Sequence, residues 1–355
     1  MQASEPRQYS NALPMPLEVP VEQSTIPSVS GSDRCTICNG FMDALLDDIY
    51  DTRFGIAGHY SVRRCESCGL EQVYPLPTDA HLKSLYETYY NFGGGKGTLY
   101  VAIREWFFGS PLYRLWVCLD GDHSFHNRKG GGKLLDVGCN EGRGLRLYRS
   151  NGFDAEGLEV NKKAAAQARQ NGFKVHTTML GDFYPQEQYD VLILSNVLEH
   201  SLDPKGMLLS ARRLLKPEGE IWVSCPNSKS WLRGVFGRYW INWHVPFHIV
   251  HFSPHILENT LSNAGFVDVN IRQITPAAWV VSSCISRIFS RKGKLTKQLR
   301  NPFLVFSLLF IVRFWLFPLL CLGNWLGRGD CLVATGRSSN DGSGAFVENI
   351  KSPAE

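Results

Sequence analysis

The chain has 355 residues, 44% of them hydrophobic and 20% charged, with a formal net charge of +4. That composition excludes wholesale disorder and a polytopic membrane protein, and the weak positive charge gives no argument for nucleic acid. The length predicts about two domains plus tails. The first thirty residues lack a charged start followed by an apolar stretch, so a secreted, disulfide-stapled module is not expected. A reducing, cytoplasmic setting fits better, with some of the ten cysteines paired as metal ligands.

Residues 1–33 contain five prolines and no hydrophobic period, which predicts a disordered tail; residues 338–355 read the same way. Residues 34–75 hold two CxxC pairs, Cys35/Cys38 and Cys65/Cys68, with 26 residues between Cys38 and Cys65. Four thiolates in two knuckles match a tetrahedral Zn²⁺ with no open position, a structural site in a segment too small for its own core. A redox CxxC is the alternative, and it would leave the second pair idle.

Residues 76–132 are a helical linker or cap. Thr78 or Asp79 is placed to cap a helix from Ala80 to about Tyr90. A glycine run, Gly93–Gly97, follows. An aromatic segment with Trp106, Phe107, Phe108, Tyr113 and Trp116 then reads as helical, packing on the next domain or lining its mouth.

From Lys133 onward, strands alternate with helices. The strands expected are Lys133–Val137, Asp154–Glu159, Lys174–Thr177, Tyr189–Leu194, Gly219–Cys225, Phe266–Arg272 and, after a long hydrophobic interruption, Asp330–Arg337. Helical patterns lie between them, as at Asn161–Asn171 and Pro204–Leu215. The alternation predicts an α/β fold with a doubly wound, mostly parallel sheet. The first strand runs into Asp136-Val137-Gly138-Cys139-Asn140-Glu141-Gly142, where glycines let a backbone approach a ligand and a helix start supplies free N–H groups. Glu159 comes 21 residues after Gly138, placed to accept hydrogen bonds from ribose hydroxyls. The spacing does not match the dinucleotide fingerprint. Asp136 would repel a pyrophosphate but suits a cationic amino-acid ligand. A tight turn without a ligand is the plain alternative.

Leu134–Gly142, Gly157-Leu158-Glu159, Tyr189–His200 with Leu202-Asp203-Pro204, Leu214–Gly219 and Pro246–Ser253 together resemble the ordered motifs of class I S-adenosylmethionine-dependent methyltransferases, in the ubiquinone-methyltransferase-like branch. The resemblance covers about Lys133 to Arg337. It implies a seven-stranded sheet with the last strand antiparallel. It also implies S-adenosylmethionine as cofactor, with Asp136, Gly138 and Gly142 around its methionine end, Glu159 on the ribose, Ser195 along the cofactor and Asp182 at the adenine amino group. Asn140 stands where the family usually has glycine. The cysteine segment, Pro75-x-Pro77-Thr78, Leu85-Tyr86 and Tyr89-Tyr90 resemble the zinc-ribbon leader of bacterial methyltransferases associated with polysaccharide or sugar modification.

A methyl acceptor with a high-pKa hydroxyl needs a base, worth roughly 10²–10⁴ in rate. His200, His244, His248 and His251 are candidates, and His248 with His200 is the expected functional pair; packing is the plain alternative for each. Related enzymes carry a metal site of the form E-x-x-E-H plus a distant His. Here Asn196-Val197-Leu198-Glu199-His200 has asparagine in the first position, so Glu199, His200, His248 and Asn196 would ligate a divalent ion with one charge fewer. Ser195-Asn196-Val197-Leu198 lacks the prolines of the base-amine methylases in this family, which favours an oxygen or carbon acceptor.

The hydrophobic insertion, residues 285–329, contains an apolar run at Phe303–Leu322 broken by Pro318. Phe266–Arg272 and Asp330–Arg337 should be neighbours in one sheet, so the run must return to the side it left. A surface-lying helix pair or re-entrant hairpin meets that condition. Arg287, Arg291, Lys292, Lys294, Lys297 and Arg300 would favour anionic head groups by about 1 kcal/mol per charge. A buried cap or a dimer interface is the alternative. The expected function is methyl transfer, at oxygen, to a small-molecule, glycan or lipid-linked acceptor, by a protein peripheral on the cytoplasmic face of a membrane. A catalytically inactive scaffold and an RNA methyltransferase are the competing readings.

Overall fold

A computed structural model of the chain describes residues 34–89 and 106–339. The two expected tails, apart from the residues at 338 and 339, and the Gly93–Gly97 loop lie outside the described residues. The described residues form two sheets with eleven strands between them. Near the N-terminus, β1 (Met42–Ile49), β2 (Tyr60–Cys65) and β3 (Glu71–Tyr74) pair antiparallel. The knuckles form at their ends, where Asn39 and Gly69 take positive φ and the chain reverses through Cys35 N–H to Gly40 O and Cys65 N–H to Leu70 O, at 2.9 and 2.8 Å. Helix α1 (Asp79–Tyr89) follows, with Thr78 Oγ1 accepting from His81 N–H at its start. Helix α2 (Pro111–Asp120) starts at a Ser110 cap and stops at left-handed Gly121.

The larger sheet is built from β4 (Lys133–Val137), β5 (Asp154–Leu158), β6 (Val175–His176), β7 (Tyr189–Ser195) and β8 (Leu215–Pro226). Helices α3 (Arg143–Ser150), α4 (Lys162–Gln170) and α5 (Pro204–Leu214) lie between them in sequence. Asn161 and Asp203 cap α4 and α5 through their side-chain oxygens, as short polar residues at helix starts do. Beyond β8 come α6 (Trp231–Phe236), β9 (Val250–His251), α7 (Pro254–Asn263), β10 (Phe266–Ile274), α8 (Ala277–Phe289), α9 (Pro302–Trp315), α10 (Phe317–Trp325) and β11 (Cys331–Ser338).

The seven strands run in the order β10-β11-β8-β7-β4-β5-β6. β11 is antiparallel to both neighbours, while β8, β7, β4, β5 and β6 are parallel. Alternation along the buried strands divides the core: Leu134, Ile193 and Trp222 face Tyr148 and Phe153, while Leu135, Leu192 and Val223 face Leu208 and Ala211. The chain winds outward both ways from β4, so its crevice opens at the carboxyl ends of β4 and β7, where such sheets bind ligands.

Two features of the topology bear on the site, the first of them unforeseen in the sequence. First, β9 does not join the large sheet. It pairs with β3, Glu71 opposite His251 and Gln72 opposite Val250, and completes the small sheet as β1-β2-β3-β9. β3 is buried throughout, and an unpaired buried strand edge is costly. Second, the insertion leaves and re-enters the sheet on one rung, since Ile274 pairs with Cys331. Within it, α9 and α10 meet at a 65° bend. No single helix among the described residues is long and apolar enough to cross a membrane; the bent pair passes that test only together.

Candidate functional site

The loop after β4 needs backbone conformations that suit glycine. Gly138 and Gly142 have φ of +74° and +81°. A Cβ on Gly142 would lie 2.7 Å from the Phe173 ring, and one on Gly138 would press on Val197 at 3.1 Å. Asn140, in the family's glycine position, also sits in the left-handed region at +49° and donates from Nδ2 to Gly138 O at 2.9 Å. Asparagine tolerates that conformation better than most residues, so the departure keeps the turn.

Glu159 closes the loop from the end of β5, accepting from Asn140 N–H at 2.9 Å and Asn161 N–H at 2.7 Å. Asp136 lies beside it, buried, and no described residue hydrogen-bonds to its carboxylate. Burial, and then the Glu159 charge, push Asp136 up to about 7; burial raises Glu159 as well. Two buried acids that repel each other form a site that gains from a cation. The structure therefore brings together Asp136, Gly138, Asn140, Gly142 and Glu159. Ser195 ends β7, and its hydroxyl contacts Ser224 Oγ at 3.1 Å and His123 O at 3.2 Å. Asp182 stands apart, exposed in the turn between β6 and β7, and no contact joins it to the glycine loop.

Val197, against Gly138, leads into the second cluster. Glu199 is fully buried, and both of its carboxylate oxygens lack a hydrogen-bond partner, as does Asn196 Oδ1. Asn196 has φ of +53°. His248 Nδ1 is 2.7 Å from Asn242 O. A carbonyl only accepts, so Nδ1 carries the proton and Nε2 is left with a lone pair, 4.0 Å from Glu199 Oε1. His200 Nδ1 meets Phe247 O at 3.0 Å and the Tyr86 hydroxyl at 2.8 Å. The His200 and His248 rings are 4.6 Å apart and nearly perpendicular. Donor atoms of Glu199, His200 and His248 lie within 4.8 Å of one another. Burial pushes Glu199 up to about 8 and His200 down to about 4, and holds His248 well below its ordinary value.

The walls of this cluster come from the N-terminal part of the chain. Phe54 packs on Phe247 and His244 at 5.7 and 5.8 Å, and Tyr86 packs on Phe247 at 5.3 Å. β9 is tied in through Ile249 N–H to Glu199 O at 2.7 Å. Tyr86 and Phe54 were not foreseen as site residues. The only sequence sign of Tyr86 was its place in the Leu85-Tyr86 pair, and nothing marked Phe54.

The four knuckle cysteines converge. Cys35 and Cys68 sulfurs are 3.6 Å apart and Cys38 and Cys65 sulfurs 3.3 Å, and all four lie within 4.8 Å of one another. A tetrahedral Zn–S distance of about 2.3 Å requires S···S near 3.8 Å, whereas a disulfide requires about 2 Å. Ile37 and Cys68 backbone N–H groups point at Cys35 and Cys65 sulfurs, at 3.4 and 3.5 Å, an arrangement that suits thiolates. The donor set fits zinc, and all ten cysteines are free of disulfides.

Comparison with known proteins places this geometry. Residues 117–271 match a family model described as a methyltransferase domain. A ubiquinone biosynthesis O-methyltransferase of Erwinia tasmaniensis is 30% identical over 149 residues, covering 39% of this chain and 58% of that protein. One from Salmonella paratyphi A is 32% identical over 126 residues, covering 33% and 52%. The chain thus spans about half the length of the curated relatives it matches. A solved structure of an S-adenosylmethionine-dependent methyltransferase from Thermotoga maritima, a possible histamine N-methyltransferase, is 16% identical, with a TM-score of 0.44 over 73% of this chain and 100% of that one. With the strand order and the glycine loop closed by Glu159, the matched residues 117–271 form a methyltransferase domain of the class I S-adenosylmethionine-dependent kind.

Proposed function

We propose that the protein transfers a methyl group from S-adenosylmethionine to an oxygen of a small-molecule, glycan or lipid-linked acceptor. The observation that carries this reading is the unpaired, buried Asp136 beside Glu159 at the glycine loop, which Val197 joins to the cluster of Glu199, His200 and His248. S-adenosylmethionine, when bound, supplies an electrophilic methyl on a cationic sulfur. Asp136 would face the cationic methionine end, and Glu159 would accept from the ribose hydroxyls. Gly138, Asn140 and Gly142 would let the backbone approach, Ser195 would line the same crevice, and Asp182 remains the candidate for the adenine amino group. His248 Nε2 would take the acceptor's proton, and Glu199 would hold the resulting imidazolium. Cys35, Cys38, Cys65 and Cys68 would bind a structural Zn²⁺.

The orphaned Glu199 oxygens favour a second reading of the same chemistry. Glu199, His200 and His248, with Asn196 Oδ1, fit a divalent cation, and each histidine is oriented from behind by a backbone carbonyl, as metal-ligating histidines are. Such an ion would acidify the acceptor hydroxyl. Turnover that survives a chelator while the ribbon zinc is retained would remove it.

Asp136 supplies a pH test. Its raised pKa means that the folded protein holds a proton there below about pH 7, whereas a cationic ligand needs the ionised form. Affinity for S-adenosylmethionine should therefore fall as pH drops below 7, by up to about tenfold per unit. Asp136→Asn should bind weakly and without that slope. Calorimetry between pH 5.5 and 8 measures both; a flat parental profile would exclude Asp136 as the cation's partner.

We further infer peripheral contact with the cytoplasmic face of a membrane through residues 285–329. Phe303, Trp315 and Trp325 are 83%, 78% and 81% exposed, and no Asp or Glu occurs between Asp268 and Asp330. Exchanging Phe310, Phe314 and Trp315 together for serine should weaken binding to anionic vesicles by about tenfold or more. Unchanged flotation would reject the contact.

The acceptor is found by incubating the protein with methyl-labelled S-adenosylmethionine and host extract separated into lipid, polar-metabolite, polysaccharide and RNA fractions. Label in the lipid, metabolite or polysaccharide fraction supports the proposal. Label in RNA, with salt-sensitive RNA binding, overturns the acceptor class. Cofactor binding with no transfer to any fraction favours the inactive scaffold.

A further inference from the structure

A separate cleft is lined in part by Trp243, whose ring also reaches the histidine cluster. Trp243 packs on His251 at 5.0 Å, and His251 is 6.3 Å from His248. The cleft has a volume of about 360 Å³ and is walled by three separate stretches: Leu45, Leu46 and Arg64 from the small sheet, Ser228–Gly237 after β8, and Arg328 before β11. Its lining includes four cations, Arg64, Lys229, Arg233 and Arg328. The one carboxylate among the charges that act on Lys229 is Glu71. Glu71 is already engaged, by Arg64 Nη2 at 2.8 Å and by Arg233 Nη1 at 2.8 Å. No ion pair ties the Lys229 or Arg328 side chain among the described residues. Arg64 and Arg233 therefore share Glu71, while Lys229 and Arg328 bring two further positive charges to the cleft with no ion-pair partner among the described residues.

Like charges gathered in this way repel unless an anion joins them. Arginine and lysine side chains match phosphoryl oxygens in geometry and charge. The remaining wall, Trp243, Leu45 and Leu46, is apolar, so it suits a ligand with a ring or chain attached to the anionic end. Cleft and volume fall within the range of small-ligand sites. Arg328 also follows directly on Trp325 and Leu326, which are 81% and 58% exposed at the end of the apolar hairpin. We propose that this cleft between the cysteine ribbon and the methyltransferase domain binds a phosphate or diphosphate ester, from either a lipid head group or a soluble nucleoside diphosphate. The site does not depend on methyl transfer and stands whichever acceptor is found.

The test uses the full zinc-loaded chain and inorganic pyrophosphate as the probe, at physiological ionic strength. The parent should bind it. Lys229→Gln with Arg328→Gln should weaken binding by about tenfold for each charge removed, with S-adenosylmethionine affinity and zinc content unchanged as evidence of folding. Two further arms identify the source. Phosphatidylcholine vesicles carrying a dilute prenyl diphosphate, captured by the parent but not by the double variant, indicate the lipid head group. Tighter binding of ADP than of pyrophosphate, with no vesicle capture through these residues, indicates the soluble ester. No pyrophosphate binding, or equal binding by parent and double variant, overturns the proposal. If the double variant also loses S-adenosylmethionine affinity, Lys229→Gln alone carries the comparison, since the Lys229 side chain has no hydrogen-bond or ion-pair partner to lose among the described residues.

Discussion

A His248→Ala protein should transfer methyl groups roughly 10²–10⁴-fold more slowly than the parent while binding S-adenosylmethionine within about threefold. The expectation rests on separation: His248 belongs to the cluster behind β7, whereas Asp136 and Glu159 belong to the loop after β4. Its Nδ1 proton is committed to Asn242 O, so Nε2 is the one nitrogen able to accept a proton, and Glu199 Oε1 faces it. His248→Gln separates chemistry from packing, because an amide can keep the bond to Asn242 O but cannot act as a base. Single-turnover rates with saturating donor make the measurement. A His248→Gln rate within about threefold of the parent would show that His248 only packs.

The second large effect is expected at the ribbon. Cys65→Ser removes one of four thiolates, and the remaining three should hold zinc far more weakly. Metal content should fall from one equivalent toward zero, and the melting temperature by about 10 °C or more, since zinc ligation contributes folding energy outright. Transfer should fail with it, because β9 pairs with β3 and ties to Glu199 through Ile249 N–H. Donor affinity should suffer least, since the glycine loop packs on α3 and α4 instead. Full zinc occupancy in Cys65→Ser would remove the metal assignment. Normal transfer by a zinc-free protein would remove the coupling.

The large sheet was legible because its strands are short runs of Val, Ile and Leu between capped helices, a pattern set by burial on both faces. Lys133–Val137 was placed to the residue. Boundaries slipped where the sequence is polar at a strand end. β8 begins at Leu215 rather than Gly219 because Lys216, Pro217 and Glu218 read as a turn. β6 shrinks to Val175–His176 at the sheet edge. The glycine loop was legible from Gly138 and Gly142, and Asn140 keeps its left-handed backbone. What the sequence could not carry was contact across distance. Tyr86 reaches His200 over 114 positions, and β9 pairs with a strand about 180 residues earlier. Neither leaves a local period. His248 was singled out for its chemistry, but its tautomer follows from a carbonyl that only the folded loop supplies.

The pairing of β9 with β3 bears on how this protein can be divided. The cysteine segment looks detachable in sequence, a short leader with its own metal. Yet its sheet is finished by two residues that belong to the catalytic half, and Arg233 reaches across to the buried Glu71. A fragment stopped near residue 75 would carry an open strand edge and a buried carboxylate left with Arg64 alone. The remainder, expressed without the leader, would keep Tyr86 but lose the part of the wall formed by Phe54. Neither piece should be exchangeable with that of a relative unless the matching β9 segment travels with it, so recombination within such a family would tend to inherit the two distant stretches as one unit.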